Sequence, residues 1–125
     1  MVDRYGDLLV VEFVSAGAFR YREWIYQALR EAFPGCRFYS FAVENVQKQE
    51  SFDFNSADAP EPSIITEHGL KFNASPGSGH KTGFFADQRD NREYLSHLTK
   101  DKTVLDICFN SGGFAIYAKD RGGAS

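Results

Sequence analysis

The chain has 125 residues and a mass of 14.1 kDa, which suits one small globular domain or one domain plus part of another. It is 42% hydrophobic, 25% charged and 15% aromatic, so it can bury a core and does not have the composition of a disordered chain. Its net charge of −3 argues against a free-standing nucleic-acid-binding domain, because such domains are usually basic, but it does not exclude a module whose neighbour makes the phosphate contacts.

Cysteine and histidine usage predicts neither a disulfide framework nor a metal site. Two cysteines, Cys36 and Cys108, are too few for a disulfide framework, and their spacing is not that of metal ligands. We therefore expect free thiols in a reducing cytoplasm. His68 and His80 are isolated, and structural roles are expected for both, whereas His97 is expected on the surface of a helix. No apolar run approaches the ~18 residues of a membrane span, and no signal peptide is expected. These features together predict a cytoplasmic protein.

The first third of the chain predicts a strand, a helix and a second strand. Residues 8–15 form an apolar, β-branched run, and apolar residues then recur at helical spacing over 18–33. The buried face of that helix would consist of Tyr21, Ile25, Ala28, Leu29 and Ala32. Pro34 and Gly35 end the helix, and residues 36–43 predict the second strand. A compact α/β unit follows from this order.

The middle of the chain is predicted to be irregular except for one hairpin. Residues 44–63 are polar and include two prolines, which indicates a surface segment that could contain a short strand. Residues 64–66 and 70–73 flank Glu67-His68-Gly69, and this pattern predicts a hairpin or tight bend. The small residues at 76–79 predict a flexible joint.

After the joint the pattern predicts a helix, a strand and a second helix. Asp87 is a suitable N-cap for a helix that ends near Leu98. Its buried face would consist of Tyr94, Leu95 and Leu98. Residues 103–109 predict a strand buried on both faces of a parallel sheet. A turn at 110–113 then leads into a helix that begins at Phe114.

Two of these stretches could bind a ligand, although the residues alone leave the matter open. A strand that ends in a small-residue turn and opens a helix lets backbone N–H groups approach a ligand closely. Gly112 and Gly113 provide such a turn, but this pattern is more often ordinary turn chemistry, and the G-x-G-x-x-G motif is absent. The charges around 81–92 by themselves indicate a solvated helix entry, with Phe84 and Phe85 in the core.

Four stretches in order resemble one enzyme family: DRYGDLLVVEFVSAGA (3–18), ITEHGLKF (65–72), GHKTGFFADQRDNREYL (79–95) and VLDICFNSGGFAIYA (104–118). The chain is similar to class I S-adenosylmethionine (SAM)-dependent methyltransferases of large-subunit ribosomal RNA, of the cytosine-C5 type. The resemblance implies an α/β fold class: an α+β central domain with the EHG element over 1–75, a joint at 76–79, and the incomplete start of a Rossmann-like methyltransferase domain over 80–125.

The same resemblance implies a SAM pocket with two walls. The first wall would consist of Phe84, Phe85, Gln88 and Arg89. The second would consist of Asp106, Phe109, Asn110, Ser111, Gly112, Gly113 and Phe114. The family usually has an aromatic residue and Thr where this chain has Asn110 and Ser111. Serine keeps the hydroxyl, whereas asparagine removes a stacking surface.

The family's ribose-binding acidic residue, its D-P-P motif and its catalytic cysteine are not found among these 125 residues. Methylation at cytosine C5 needs a thiolate that adds at C6, and Cys108 is not expected to be that nucleophile. We therefore assign no catalytic residue, and we expect the chain alone to be inactive with a SAM site only partly present. The implied partner of the complete enzyme is ribosomal RNA.

Two other functions remain possible at this stage. The chain could be a non-catalytic interaction or RNA-docking module, or it could belong to a methyltransferase that acts on another base, such as guanine N7. A separate expectation concerns assembly, because strand 103–109 would be only partly covered by residues 114–121. Exposed apolar strands tend to associate, so a homo-oligomer is predicted, or else a partner polypeptide that supplies the rest of the domain.

Overall fold

The computed structural model describes residues 1–78, 81–107 and 109–122, which fall into two compact units. The first unit contains residues 1–63 and 74–83, and the second contains residues 64–73 together with the chain from 84 onwards. The predictions made for His80 and Cys108 lie outside the described residues. The domain boundary proposed at 76–79 stays a prediction.

The first unit is built on a three-stranded sheet with the order β1-β2-β3. These strands are β1 (Val2–Tyr5), β2 (Leu8–Glu12) and β3 (Arg37–Phe41). β1 runs antiparallel to β2, with Val2 opposite Val11, whereas β2 runs parallel to β3. Parallel pairing requires a crossover connection, which the helices between β2 and β3 supply. The central strand β2 is therefore the buried one, as its continuous apolar run predicts.

Two helices, α1 (Ala16–Arg20) and α2 (Arg22–Ala32), replace the single helix predicted over 18–33. The chain breaks at Tyr21, which is exposed, and Ala28 and Ala32 are exposed as well, so the predicted buried face was partly wrong. Ile25 and Leu29 of the predicted face do pack against Val11, Phe13 and Ala42. The other side chains packed there are Ala18, Phe19, Tyr26, Phe52 and Phe54.

The aromatic ring of Phe13 explains this choice of face. The rings of Phe19, Tyr26 and Phe54 all meet it edge-on, at centroid distances of 5.6, 6.0 and 5.8 Å. Aromatic side chains bury much more surface than alanine and prefer edge-to-face geometry. The cluster therefore decides which side of α1 and α2 faces the sheet.

Two elements of the first unit had not been predicted. The N-terminal strand β1 precedes the apolar run, and α3 (Glu44–Glu50) lies in the segment expected to be irregular. α3 is short and polar, and its neighbours hold it through Gln47. The Gln47 amide donates to the Ala42 carbonyl at 2.9 Å and accepts from the Phe54 N–H at 2.7 Å.

The second unit contains most of a hairpin and two helices. The hairpin strands are β4 (Ser63–Glu67) and β5 (Leu70–Ala74), and the helices are α4 (Arg89–His97), after a 3₁₀ turn at Ala86–Gln88, and α5 (Gly113–Asp120). His68 and Gly69 join the strands with positive φ values of 48° and 88°, as a tight hairpin turn requires. The predicted hairpin and both predicted helices are confirmed.

The cap and buried face predicted for α4 were wrong. Asp87 lies in the 3₁₀ turn, and the residue before α4 is Gln88, whose side chain makes no capping hydrogen bond. Tyr94 is 69% exposed, and Leu95 and Leu98 are exposed too. The buried residues of this region are polar: Arg92, Ser96 and Thr99. Buried polar groups require hydrogen-bond partners, and the partners of Arg92 determine which face is inside.

The strand predicted over 103–109 is absent from the described part of that segment. Leu105 is 82% exposed and Ile107 87% exposed, and Phe109 is exposed as well. An apolar run becomes a strand only where a neighbouring strand accepts its backbone hydrogen bonds, and neither sheet of the described residues extends to this segment. Among the described residues, no helix is long and apolar enough to cross a membrane.

Candidate functional site

A buried ion pair between Arg92 and Glu67 lies in the second unit. Arg92 of α4 and Glu67 at the end of β4 have side chains that are 2% and 6% exposed. The Arg92 Nε and Nη2 atoms each donate to the Glu67 carboxylate at 2.8 Å. Burying two charges is costly unless they are paired with good geometry, and the guanidinium fork meets that condition. The pair joins α4 to the hairpin.

The hydroxyl of Tyr117 extends this ion pair to α5. It lies 3.1 Å from Glu67 Oε1, 3.2 Å from the Glu67 carbonyl oxygen and 2.8 Å from His68 Nδ1. Burial raises the pKa of Tyr117, and the hydrogen bond and negative charge of Glu67 raise it further. Tyr117 is therefore a neutral hydrogen-bonding group at physiological pH. The other ring nitrogen of His68 lies 3.1 Å from Glu93.

Arg92 also holds the stretch that the sequence places in the first wall. Its Nη1 atom donates to the Phe85 carbonyl at 3.1 Å, and its guanidinium lies over the Phe84 ring at 4.9 Å from the centroid. Phe84 is buried and packs against Phe72, with ring centroids 5.3 Å apart. The same Phe85 carbonyl accepts a hydrogen bond from the Gln88 N–H at 3.0 Å. One carbonyl therefore joins Arg92 to the turn that carries Gln88.

The glycine turn also lies against the Arg92 side chain. A Cβ atom on Gly113 would lie 2.7 Å from Arg92 Cδ, so only glycine allows α5 to begin this close to α4. Gly112 has a φ of 69°, and a Cβ there would lie 2.7 Å from the Phe109 ring. Both glycines are thus required by close contacts. The two predicted walls meet at Arg92.

The remaining predicted site residues differ in exposure. Among the residues of the first wall, Phe85 and Gln88 are half-buried, whereas Arg89 is exposed and pairs with Asp90 at 3.2 Å. Of the second wall, the half-buried residues are Asp106 and Phe114, and the exposed ones are Phe109, Asn110 and Ser111. Whether these side chains bind a cofactor remains a prediction.

Sequence reasoning did not assign roles to Glu67, Arg92 or Tyr117. Glu67 stands in the EHG element and Arg92 in the DQRDNR run, so both belonged to recognised motifs. No spacing rule relates a carboxylate to an arginine 25 residues later, because a hairpin and a loop separate them. Tyr117 has the helical spacing of an ordinary core residue.

Two cavities lie elsewhere, in the first unit. One of about 470 Å³ is lined by Glu44, Gln47, Lys48, Ser51, Phe52 and Asp53. The other, of about 290 Å³, is lined by Glu12, Tyr39, Phe41, Ala42, Val43, Ser56, Gly77 and Lys81. Neither includes a predicted SAM-pocket residue. Within residues 1–78, 81–107 and 109–122, no group of three or more His, Cys, Asp or Glu side chains could hold a metal ion.

Comparison with known proteins points to one class, the SAM-dependent methyltransferases. No protein-family model matches the chain. Two solved structures each align over 99% of this chain and over 32% of their own chains. One is a protein of Streptococcus mutans assigned as a SAM-dependent methyltransferase, with a TM-score of 0.78 and 27% identity. The other is SMU.776, assigned as a methyltransferase and solved with S-adenosylhomocysteine (SAH), with a TM-score of 0.79 and 28% identity. The predicted α/β fold class is confirmed.

Curated relatives are described more specifically, as ribosomal RNA large subunit methyltransferase I. The protein from Aeromonas salmonicida is 42% identical over 128 residues, and that from Aliivibrio fischeri strain MJ11 is 38% identical over 128 residues. Each alignment covers 98% of this chain and 32% of the relative. The chain therefore spans about a third of the length of the curated relatives it matches.

Proposed function

We propose that this chain is a segment of a SAM-dependent methyltransferase that acts on large-subunit ribosomal RNA in the cytoplasm. The observation that carries the proposal is the 42% identity to a ribosomal RNA large subunit methyltransferase over 98% of the chain. The SAH complex of a protein with a TM-score of 0.79 supports the choice of cofactor. The substrate RNA, the cofactor and the location all belong to the proposal.

The SAM site would include the two walls that meet at Arg92. Phe84, Phe85, Gln88 and Arg89 form one wall, and Asp106 with residues 109–114 forms the other. Two features support this assignment. No side chain caps the N-terminus of α5, and the N-terminus of a helix suits a carboxylate such as that of the methionine part of SAM. The hydrogen bonds at Phe85 hold the turn that carries Gln88.

The finer proposal is that the base is cytosine and the methylated atom is C5. It rests on the sequence resemblance alone. The chemistry requires a cysteine thiolate that adds to C6 of the base and is later eliminated. No described residue of this chain is assigned that role, so we expect the 125-residue polypeptide by itself to transfer no methyl group.

A chimeric enzyme tests the proposal. The matched third of the Aeromonas salmonicida methyltransferase is replaced by this chain, and the chimera is incubated with large-subunit ribosomal RNA and SAM labelled in the methyl group. We expect label in the RNA and 5-methylcytidine after digestion to nucleosides. A matched chimera with Gln88→Ala and Arg89→Ala should incorporate at least tenfold less label if these residues contribute charge-assisted hydrogen bonds to the cofactor.

Each other outcome rejects a defined part of the proposal. Label recovered as 7-methylguanosine would retain the methyltransferase and overturn the C5 assignment. A folded chimera that neither binds SAH by calorimetry nor labels the RNA would favour the non-catalytic module. The isolated chain, assayed in parallel, should give no turnover.

A further inference from the structure

We propose that Arg92 is a positioning residue that keeps the two walls of the proposed SAM site in register. It would act without touching the cofactor, through its hydrogen bond to the Phe85 carbonyl and its close contact with Gly113. The inference rests on the proposed function for the identity of the ligand. The positioning itself rests on contacts in the second unit.

All three guanidinium nitrogens of Arg92 form hydrogen bonds within the second unit. Nε and Nη2 are bound to Glu67 and Nη1 to the Phe85 carbonyl, and the guanidinium plane lies over Phe84. The side chain is 2% exposed, so it is not available to a ligand. A guanidinium buried this fully needs an acceptor for Nη1 as well, and the acceptor it uses is the Phe85 carbonyl of the first wall.

The third hydrogen bond acts on a residue of the proposed site. The Phe85 carbonyl accepts hydrogen bonds from Arg92 Nη1 and from the Gln88 N–H, so loss of the arginine would remove one of the two hydrogen bonds that hold this carbonyl at the 3₁₀ turn. The turn places Gln88 and precedes Arg89. Binding sites depend on side chains whose own supports are fixed, and Arg92 supplies that support here.

The contact with Gly113 acts on the opposite wall. The methylene stem of Arg92 fills the space that a Cβ at Gly113 would occupy, and thereby sets where α5 begins. The Ile116 N–H donates to the Gly112 carbonyl at 2.9 Å in the first turn of that helix. If Arg92 moved, both the 3₁₀ turn and this first helical turn would lose the same support.

Lysine cannot reproduce this arrangement. Its ammonium group is a single compact donor, whereas the guanidinium reaches the Glu67 carboxylate and the Phe85 carbonyl at once. Arg92→Lys therefore keeps the charge while removing one of the two connections. The double variant Glu67→Leu/Arg92→Met removes both charges and restores apolar packing, which usually preserves stability at buried ion pairs.

Hydrogen exchange and SAH titration on the 125-residue chain test the inference together. In Arg92→Lys and in the double variant, the amides of Gln88 and Ile116 should exchange at least tenfold faster than in the unmodified chain. The Phe13 N–H, which donates to the Phe41 carbonyl in the first unit, serves as the reference and should not change. The double variant also shows whether the effect persists in a chain of undiminished stability.

In calorimetric titrations, SAH affinity should fall roughly 10- to 100-fold in both variants, the size expected for loss of a charge-assisted hydrogen bond that holds the site. Arg37→Lys, which alters an exposed bidentate pair with Asp7, is the matched control and should bind SAH normally. Unchanged exchange at Gln88 and Ile116, or full SAH affinity in the double variant, would overturn the positioning role. The isolated chain holds only part of the proposed site, so if it binds no SAH the affinities are compared in the chimera with the Aeromonas salmonicida enzyme. Absence of SAH binding by the chimera would count against the proposed function, while hydrogen exchange on the chain would still decide the role of Arg92.

Discussion

The phenol of Tyr117 is buried against the Glu67 carboxylate and predicts a pH effect on stability. Burial, then Glu67, raises the pKa of Tyr117 in the folded state above the value of about 10 for a free phenol. A raised pKa means that the folded state favours the neutral phenol. The stabilisation is therefore complete below about pH 10 and is lost as the pH rises through the raised pKa.

The prediction is that the free energy of unfolding falls more steeply above pH 10 in the unmodified chain than in Tyr117→Phe. At pH 8 the variant should be less stable by about 1–2 kcal/mol, because it loses a buried hydrogen bond. Urea titrations at pH 8 and pH 10.5 measure the difference between the two proteins. Parallel declines would show that ionisation of Tyr117 does not oppose folding.

The contact between Gly113 and Arg92 predicts a steric effect of a single methyl group. Gly113→Ala would bring its Cβ to 2.7 Å from Arg92 Cδ, and Arg92 cannot move away without losing Glu67 or Phe85. We expect a loss of about 1–3 kcal/mol of stability, which is typical of overpacking. Thermal unfolding followed by circular dichroism gives the change.

Gly17→Ala is the matched control for that variant. Gly17 lies in α1, and the nearest atom to an added Cβ is Ser15 Oγ at 4.0 Å. Alanine is favoured over glycine in a helix, so this variant should be neutral or more stable by up to about 1 kcal/mol. Equal destabilisation by the two variants would contradict the role assigned to Arg92.

At the scale of elements, apolar periodicity located most helices and strands and failed where polar contacts determine the packing. The run at 8–15 and the EHG hairpin were predictable, because a central strand and a tight turn leave local signals. The buried face of α4 was not predictable, since Arg92 faces inward only because Glu67, distant in sequence, pairs with it.

In the proposed site, too, local motifs were predictable and contacts between distant residues were not. The motifs around Gln88 and Gly113 were recognisable as local stretches. That both motifs contact Arg92 could not be predicted, because the contact requires a glycine where α5 passes close to α4. The segment 103–109 failed for a different reason, since a strand needs a paired neighbour as well as an apolar sequence.

Lysine substitutions on each of the two faces of α4 test which face is buried. Tyr94→Lys alters an exposed side chain and should change stability by no more than about 0.5 kcal/mol. Ser96→Lys places a charge where the native side chain is buried and donates to the Glu93 carbonyl, so it should cost several kcal/mol, roughly 3 or more. Denaturant titration of both variants measures the contrast. A larger loss of stability in Tyr94→Lys than in Ser96→Lys would show that the face predicted from periodicity is the buried one.

At the scale of the whole molecule, the exposed segment around Ile107 predicts association. Leu105, Ile107 and Phe109 project large apolar side chains into solvent within five residues. Fully burying one such side chain contributes about 1.5–3 kcal/mol, so contact between two copies of the segment is favourable. Neither sheet of the described residues includes this segment, so a second copy could pair with it as a strand.

The expected result is a concentration-dependent rise of the weight-average mass above 14.1 kDa in sedimentation equilibrium. Ile107→Lys should shift the chain toward monomer, because a charged side chain at the centre of the contact opposes its burial. Val14→Lys, which changes an exposed apolar residue of the first unit, should leave the association constant unaltered. If the unmodified chain sediments as a monomer at every concentration, the apolar segment does not associate in solution. If both lysine variants weaken association equally, the contact lies outside residues 103–109.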